Sequence, residues 1–175
     1  MEGREDREPE ARTGHSEKRA YTVNDYMVVA ANPYASRAGY NIIEKGGSAI
    51  DAAIAVQAML TLVEPQSSGI GGGAFILYWD NENKKLYAFD GRETAPAKAN
   101  AYLFTEQGEP MRWRDAVVGG KSVRAPGVLR ALAMAHNEFG ELPWVELFSD
   151  TIKTANEGFE VSARLHRLLA LDIHP

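Results

Sequence analysis

The first 22 residues are a mixed-charge run with almost no apolar side chains, and the pattern changes abruptly at 26–31 (Tyr-Met-Val-Val-Ala-Ala). That apolar run predicts a buried strand. Asn32-Pro33 ends it, and a proline there suits the first turn of a helix, expected over 33–45 and closed by Gly46-Gly47 in the left-handed cap geometry. Ser48 is the next candidate N-cap, with Asp51 three residues on in place of the usual Glu or Gln. The helix it opens, 49–62, is rich in alanine and apolar on most sides, so it should pack closely against a sheet.

A Pro-Gln-Ser-Ser-Gly-Ile-Gly-Gly-Gly loop (65–73) follows. Its glycines permit conformations closed to other residues and leave room for close approach to the main chain. Residues 74–79 (Ala-Phe-Ile-Leu-Tyr-Trp) form a continuous apolar run, which predicts a strand covered on both faces. The polar stretch 80–84 turns the chain, and 85–89 (Lys-Leu-Tyr-Ala-Phe) returns as the hairpin partner. Asp90-Gly91 should break that strand and leave Arg92 on a short segment between the sheet and Pro96. The second half reads as helical over 126–139, 143–157 and 162–171, with Gly140 and Gly158 as stops and Ser162 as an N-cap.

Composition narrows the function. A 45% hydrophobic and 25% charged chain of 175 residues can build one domain-sized core. No apolar run is long enough to span a bilayer. The formal charge of -5 argues against non-specific attraction to nucleic acid. Without cysteine there is no thiol nucleophile, disulfide or thiolate metal site. His15, His136, His166 and His174 show no one-turn pairing, so no metal is expected. No cofactor is expected either: Met59, Met134 and the aromatic residues read as core.

Candidate chemistry centres on Arg92. A guanidinium holds a carboxylate with two parallel hydrogen bonds, a geometry lysine cannot reproduce. The residues alone also allow Arg92 to pair with Asp90 or Glu93 on a solvated surface. Ser67 and Ser68 lie beside a glycine loop, but no histidine stands nearby in sequence to act as base. Gly69-Ile-Gly71-Gly-Gly-Ala74 has the spacing of a dinucleotide fingerprint but follows a helix and opens a strand, the reverse of what that motif needs. Gly119-Gly120-Lys121-Ser122 lacks the upstream glycine of a phosphate loop and reads as a turn.

Segments 27–33 (Met-Val-Val-Ala-Ala-Asn-Pro), 46–53 (Gly-Gly-Ser-Ala-Ile-Asp-Ala-Ala), 64–75 (Glu-Pro-Gln-Ser-Ser-Gly-Ile-Gly-Gly-Gly-Ala-Phe) and 90–96 (Asp-Gly-Arg-Glu-Thr-Ala-Pro) resemble, in order and spacing, the large-subunit half of gamma-glutamyltranspeptidases, also called glutathione hydrolases. The likeness extends through 118–123 and 125–127. It implies an α+β fold, part of the four-layer αββα sandwich of N-terminal nucleophile hydrolases, incomplete in this chain. The mixed-charge composition at the start predicts a disordered charged tail over 1–25, and the likeness implies the N-terminal part of the large subunit over 26–175. A precursor of this family cleaves itself, and the threonine freed at the start of the small subunit attacks the gamma-glutamyl amide. None of Thr13, Thr22, Thr61, Thr94, Thr105, Thr151 or Thr154 has the setting of that processing site, so the expected catalytic residue lies outside this chain.

By the same resemblance Arg92 is the substrate-binding residue, gripping the alpha-carboxylate of the gamma-glutamyl group. The implied partners are glutathione, other gamma-glutamyl compounds, and the small subunit of the same precursor, with water or an amino acid resolving the acyl-enzyme. An oxyanion hole would come from the small subunit. The family suggests a periplasmic or extracellular location, although residues 1–10 show no apolar core of a secretory signal. Two alternatives stand beside this expectation: a non-catalytic scaffold or binding module, and a same-fold acylase for another acyl group. Either way, the chain by itself should expose apolar surface that a complete enzyme buries.

Overall fold

The computed structural model describes residues 20–170, which places most of the expected charged tail, His15, His174 and the last residue of the final expected helix outside the described residues. Helix α1 (Pro33–Glu44) starts at Pro33, and Asn32 caps it by accepting from the Tyr34 amide at 3.0 Å. Gly46 takes φ 89°, and the amides of Gly46 and Gly47 donate to the carbonyls of Ile43 and Ile42, each at 2.9 Å. This is a Schellman closure, which needs a residue without a Cβ at that turn. Ser48 then caps α2 (Ala49–Val63): its Oγ accepts from the Asp51 amide at 3.1 Å while Asp51 Oδ2 accepts from the Ser48 amide at 2.9 Å.

Strands β1 (Ala74–Asp80) and β2 (Lys85–Gly91) pair antiparallel, from Ala74 opposite Gly91 to Asp80 opposite Lys85. Their turn is tied by Asp80, whose Oδ1 accepts from the amides of Glu82 and Asn83 at 3.0 and 3.1 Å. The Asn83 side chain donates to Oδ2 at 2.7 Å. These bonds, the Asn83 side chain first, hold the Asp80 carboxyl below its ordinary 3.8. A small second hairpin, β3 (Thr105–Glu106) and β4 (Glu109–Pro110), was not expected. Gln107 and Gly108, both at positive φ, form its two-residue turn. The remaining helices are α3 (Trp113–Val117), α4 (Val128–Phe139), α5 (Ser149–Glu157) and α6 (Ala163–Leu169), with 3₁₀ turns at Gly120–Ser122 and Trp144–Phe148. The chain is thus α+β, and both described sheets are antiparallel hairpins.

Among the described residues two compact units emerge, one from 20–69 together with 136–170, the other Ile70–Ala135. In the first, α2 packs on α1, on α5 and on the Trp144–Phe148 turn. The α1 to α2 contact is close because Gly39 has no side chain: a Cβ there would lie 2.6 Å from Val56 Cγ2 and 2.8 Å from Val28 Cγ1. Asp51, fully buried, ties the start of α2 to a turn 90 residues away by accepting from the amides of Glu141 and Leu142 at 2.9 and 3.1 Å. His136 Nε2 stands 3.5 Å from Asp51 Oδ1 and 2.9 Å from the Leu142 carbonyl. In the second unit the buried apolar residues are Phe89, Val128, Ala131, Leu132 and Ala135.

Five expectations need correction. Residues 26–31 are not in a strand; among the described residues no neighbouring strand supplies ladder bonds, and the Ala30 amide donates to Ser36 Oγ at 3.0 Å. Helix α2 meets helices within its unit rather than a sheet. Asp90-Gly91 does not break β2, because Gly91 completes the pairing with Ala74. The hairpin is covered on one face only: Phe75, Leu77 and Trp79 alternate with half-buried residues and are 70%, 71% and 53% exposed. Met134 is exposed on α4, whereas Met59 is core as expected. No described helix is long and apolar enough to cross a membrane.

Candidate functional site

Arg92 follows β2 directly, so the sheet fixes its backbone. Asp90 Oδ1 accepts from the Arg92 amide at 2.9 Å, a local turn bond that leaves Asp90 off the guanidinium. Glu93 takes that role: its Oε2 lies 2.8 Å from Arg92 Nη1, without an aligned N–H···O bond. Glu93 is mostly buried at 19% exposure and Arg92 is 58% exposed, so the carboxylate belongs to the wall and the guanidinium to the surface. Of the two flanking acids proposed from sequence, Glu93 offsets the charge and Asp90 shapes the backbone.

Three segments build the mount. The glycine loop comes first: a Cβ on Gly73 would stand 2.6 Å from the Gly91 carbonyl oxygen, 2.7 Å from Glu93 Oε2 and 2.9 Å from the Glu93 nitrogen. None of Gly69, Gly71, Gly72 or Gly73 has positive φ. The need there is space at Gly73, not an unusual backbone, while Gly69 and Gly71 face open space. Second is the end of β2 itself. Third is the chain entering α4: the Gly127 and Val128 amides donate to the Gly72 carbonyl at 3.1 and 3.2 Å, and the Ala125 amide donates to the Thr94 carbonyl at 3.0 Å. One loop carbonyl thereby satisfies amides at the α4 N-terminus that would otherwise lack partners. In the sequence, 125–127 carries no local signal that ties it to Arg92.

The other motifs settle as structural. Ser68 Oγ accepts from Gln57 Nε2 at 2.8 Å, while Ser67 and Ser68 both donate their amides to the Glu64 carbonyl at 3.0 Å. The Glu64 carboxylate is buried and held by the Asn32 side chain at 2.9 Å and by Gln66. Residues 120–122 form the expected turn, closed by Ser122 Oγ donating to the Val117 carbonyl at 2.7 Å. The glycine loop follows α2 and opens β1, which is incompatible with a dinucleotide fingerprint. Among the described residues no three His, Asp or Glu side chains gather as metal ligands. What Arg92 offers is a fixed, half-open cation, able to take a carboxylate bidentately.

A family model described as Gamma-glutamyltranspeptidase matches residues 35–174. The chain is 39% identical to the Glutathione hydrolase proenzyme of Bacillus subtilis (strain 168) over 142 residues, which is 81% of this chain and 24% of that protein. Among solved structures, gamma-glutamyltranspeptidase from Helicobacter pylori superimposes with a TM-score of 0.80 at 28% identity, covering 86% of this chain and 43% of that one. The cephalosporin acylase of Bacillus halodurans gives a TM-score of 0.75 at 32% identity, covering 92% and 29%. The chain therefore spans about a quarter of the length of the curated relative it matches.

Proposed function

The chain belongs to the gamma-glutamyltranspeptidase family, and from that premise we propose that it is the N-terminal part of an enzyme that cleaves gamma-glutamyl amides, glutathione among them, and passes the acyl group to water or an amino acid. Arg92 carries this reading, as a half-exposed guanidinium on a mount made of backbone contacts. Its role is to take the alpha-carboxylate of the gamma-glutamyl group. Once that end is fixed, the gamma-carbonyl is confined to the short reach of two methylenes from the anchor, which converts a bimolecular encounter into a positioned attack. Glu93 restrains the guanidinium and offsets part of its charge.

The attacking hydroxyl is assigned to a threonine supplied by another part of a precursor; the name of the Bacillus subtilis relative, Glutathione hydrolase proenzyme, is consistent with a processed precursor. Its oxygen bonds to the gamma-carbonyl carbon, the carbon to nitrogen bond breaks, and the amine leaves with the proton. Water or an amino acid then opens the ester. The exposed face of Phe75, Leu77 and Trp79 is assigned to contact with a second sheet, as a layer of an αββα sandwich.

A same-fold acylase acting on another acyl group is the second reading, supported by the cephalosporin acylase neighbour. Arg92→Ala in the full-length product separates the two. Loss of a charge-assisted contact worth about 2–3 kcal/mol should raise KM for a gamma-glutamyl anilide about 30- to 150-fold while self-cleavage proceeds. Unchanged kinetics would remove Arg92 from the site.

A further inference from the structure

Resting on the reading of Arg92 as carboxylate anchor, we propose that Gly127 is a positioning residue for it: the missing side chain at 127 sets where the anchor stands. The chain entering α4 and the end of β2 meet backbone to backbone. A Cβ on Gly127 would run into the Gly91 carbonyl oxygen, and would lie 2.8 Å from the Gly91 carbonyl carbon and 3.1 Å from the Arg92 carbonyl oxygen. A flexible side chain could swing away, but peptide groups cannot. Gly127 has no positive φ, so the requirement is for space and not for a left-handed backbone.

Nor can β2 sidestep. A Cβ on Gly91 would lie 2.6 Å from Ala131 Cβ and 2.9 Å from the Ala74 carbonyl oxygen, so Gly91 is already wedged between α4 and β1. Beyond Arg92, the Thr94 carbonyl is held by the Ala125 amide at 3.0 Å. The same stretch, 125–127, thus grips the chain on both sides of Arg92. A methyl at 127 is relieved by pushing the Gly91 to Arg92 peptide away by about 1 Å, beyond the tolerance of about 0.5 Å within which a productive site has to be held. Because the alpha-carboxylate and the gamma-carbonyl belong to one substrate, moving the anchor also moves the bond to be cleaved.

The test is a four-enzyme cycle in the full-length product: wild type, Arg92→Ala, Gly127→Ala and the double variant, each assayed for kcat/KM with a gamma-glutamyl anilide. Gly127→Ala should lower kcat/KM about tenfold where Arg92 is present and less than about twofold where it is alanine, because its effect passes through the guanidinium. Equal losses in both backgrounds would overturn the proposal, since a general packing role does not depend on Arg92. No effect of Arg92→Ala by itself would instead overturn the anchor reading, and this proposal with it. Should Gly127→Ala fail to fold, Ala131→Ser, which enlarges the side chain abutting Gly91, enters the same cycle with the same two expectations.

Discussion

Replacing Asp51 by alanine should destabilise the unit that holds α1 and α2 far more than loss of a helix cap would. Asp51 Oδ2 accepts from three amides, Ser48 at 2.9 Å, Glu141 at 2.9 Å and Leu142 at 3.1 Å, on a side chain with no solvent exposure. Alanine leaves all three without that acceptor. An unsatisfied buried donor costs about 1–3 kcal/mol, and water can reach the exposed Glu141, so the expected loss is about 3–5 kcal/mol. That is a large share of a domain stability of about 5–15 kcal/mol.

Two companions sharpen the comparison. Asp51→Asn keeps an oxygen at the Oδ2 position but makes the bonds neutral, and should cost about 1–2 kcal/mol. Ser48→Ala removes the cap but leaves the Glu141 and Leu142 bonds, and should cost about 1 kcal/mol. Native-state hydrogen exchange at the amides of Glu141, Leu142 and the core of α2 reads these differences directly. If Asp51→Ala costs no more than Ser48→Ala, the link across 90 residues contributes nothing and the reasoning fails.

The exposed face of β1 gives a second test. Leu77→Lys should change the stability of the 175-residue chain by less than about 0.5 kcal/mol and reduce its self-association in sedimentation, yet destabilise the full-length product; a harmless substitution there would mean nothing covers that face. The Asp80 carboxyl should titrate below 3.8 by NMR, and Asn83→Ala should move the midpoint up towards that value. Because the folded state holds this pKa down, the turn's contribution is present above pH 3.8 and fades as pH falls through the lowered midpoint. A midpoint unmoved by Asn83→Ala would show that the side-chain bond is not the cause.

Local chemistry was readable where cause and effect lie within a few residues. Pro33, the Gly46-Gly47 closure, the Ser48 and Asp51 box and the Ser162 cap each act inside one turn, and each is found where expected. The β1 and β2 hairpin was legible for the same reason, since its partners are adjacent in sequence. Strand character at 26–31 was not decidable locally, because a strand exists only when another segment bonds to it. The apolar run of β1 reads as cover on both faces, while the described residues cover one. Asp51 was visible as a cap and invisible as an anchor for Glu141 and Leu142. The mount of Arg92 divides likewise: Glu93 is next in the chain, but Gly127 reaches it only through the fold.

In the function proposed above, Arg92 recognises the alpha-carboxylate of a gamma-glutamyl group. The direct measurement compares wild type and Arg92→Ala on two substrates, a gamma-glutamyl anilide and the 4-aminobutyryl anilide that differs only by lacking that carboxylate. Wild type should favour the first by about 30- to 150-fold in kcat/KM, and Arg92→Ala should lose that preference while handling the second almost as wild type does. Equal losses on both substrates would place Arg92 in general support of the enzyme and contradict the account.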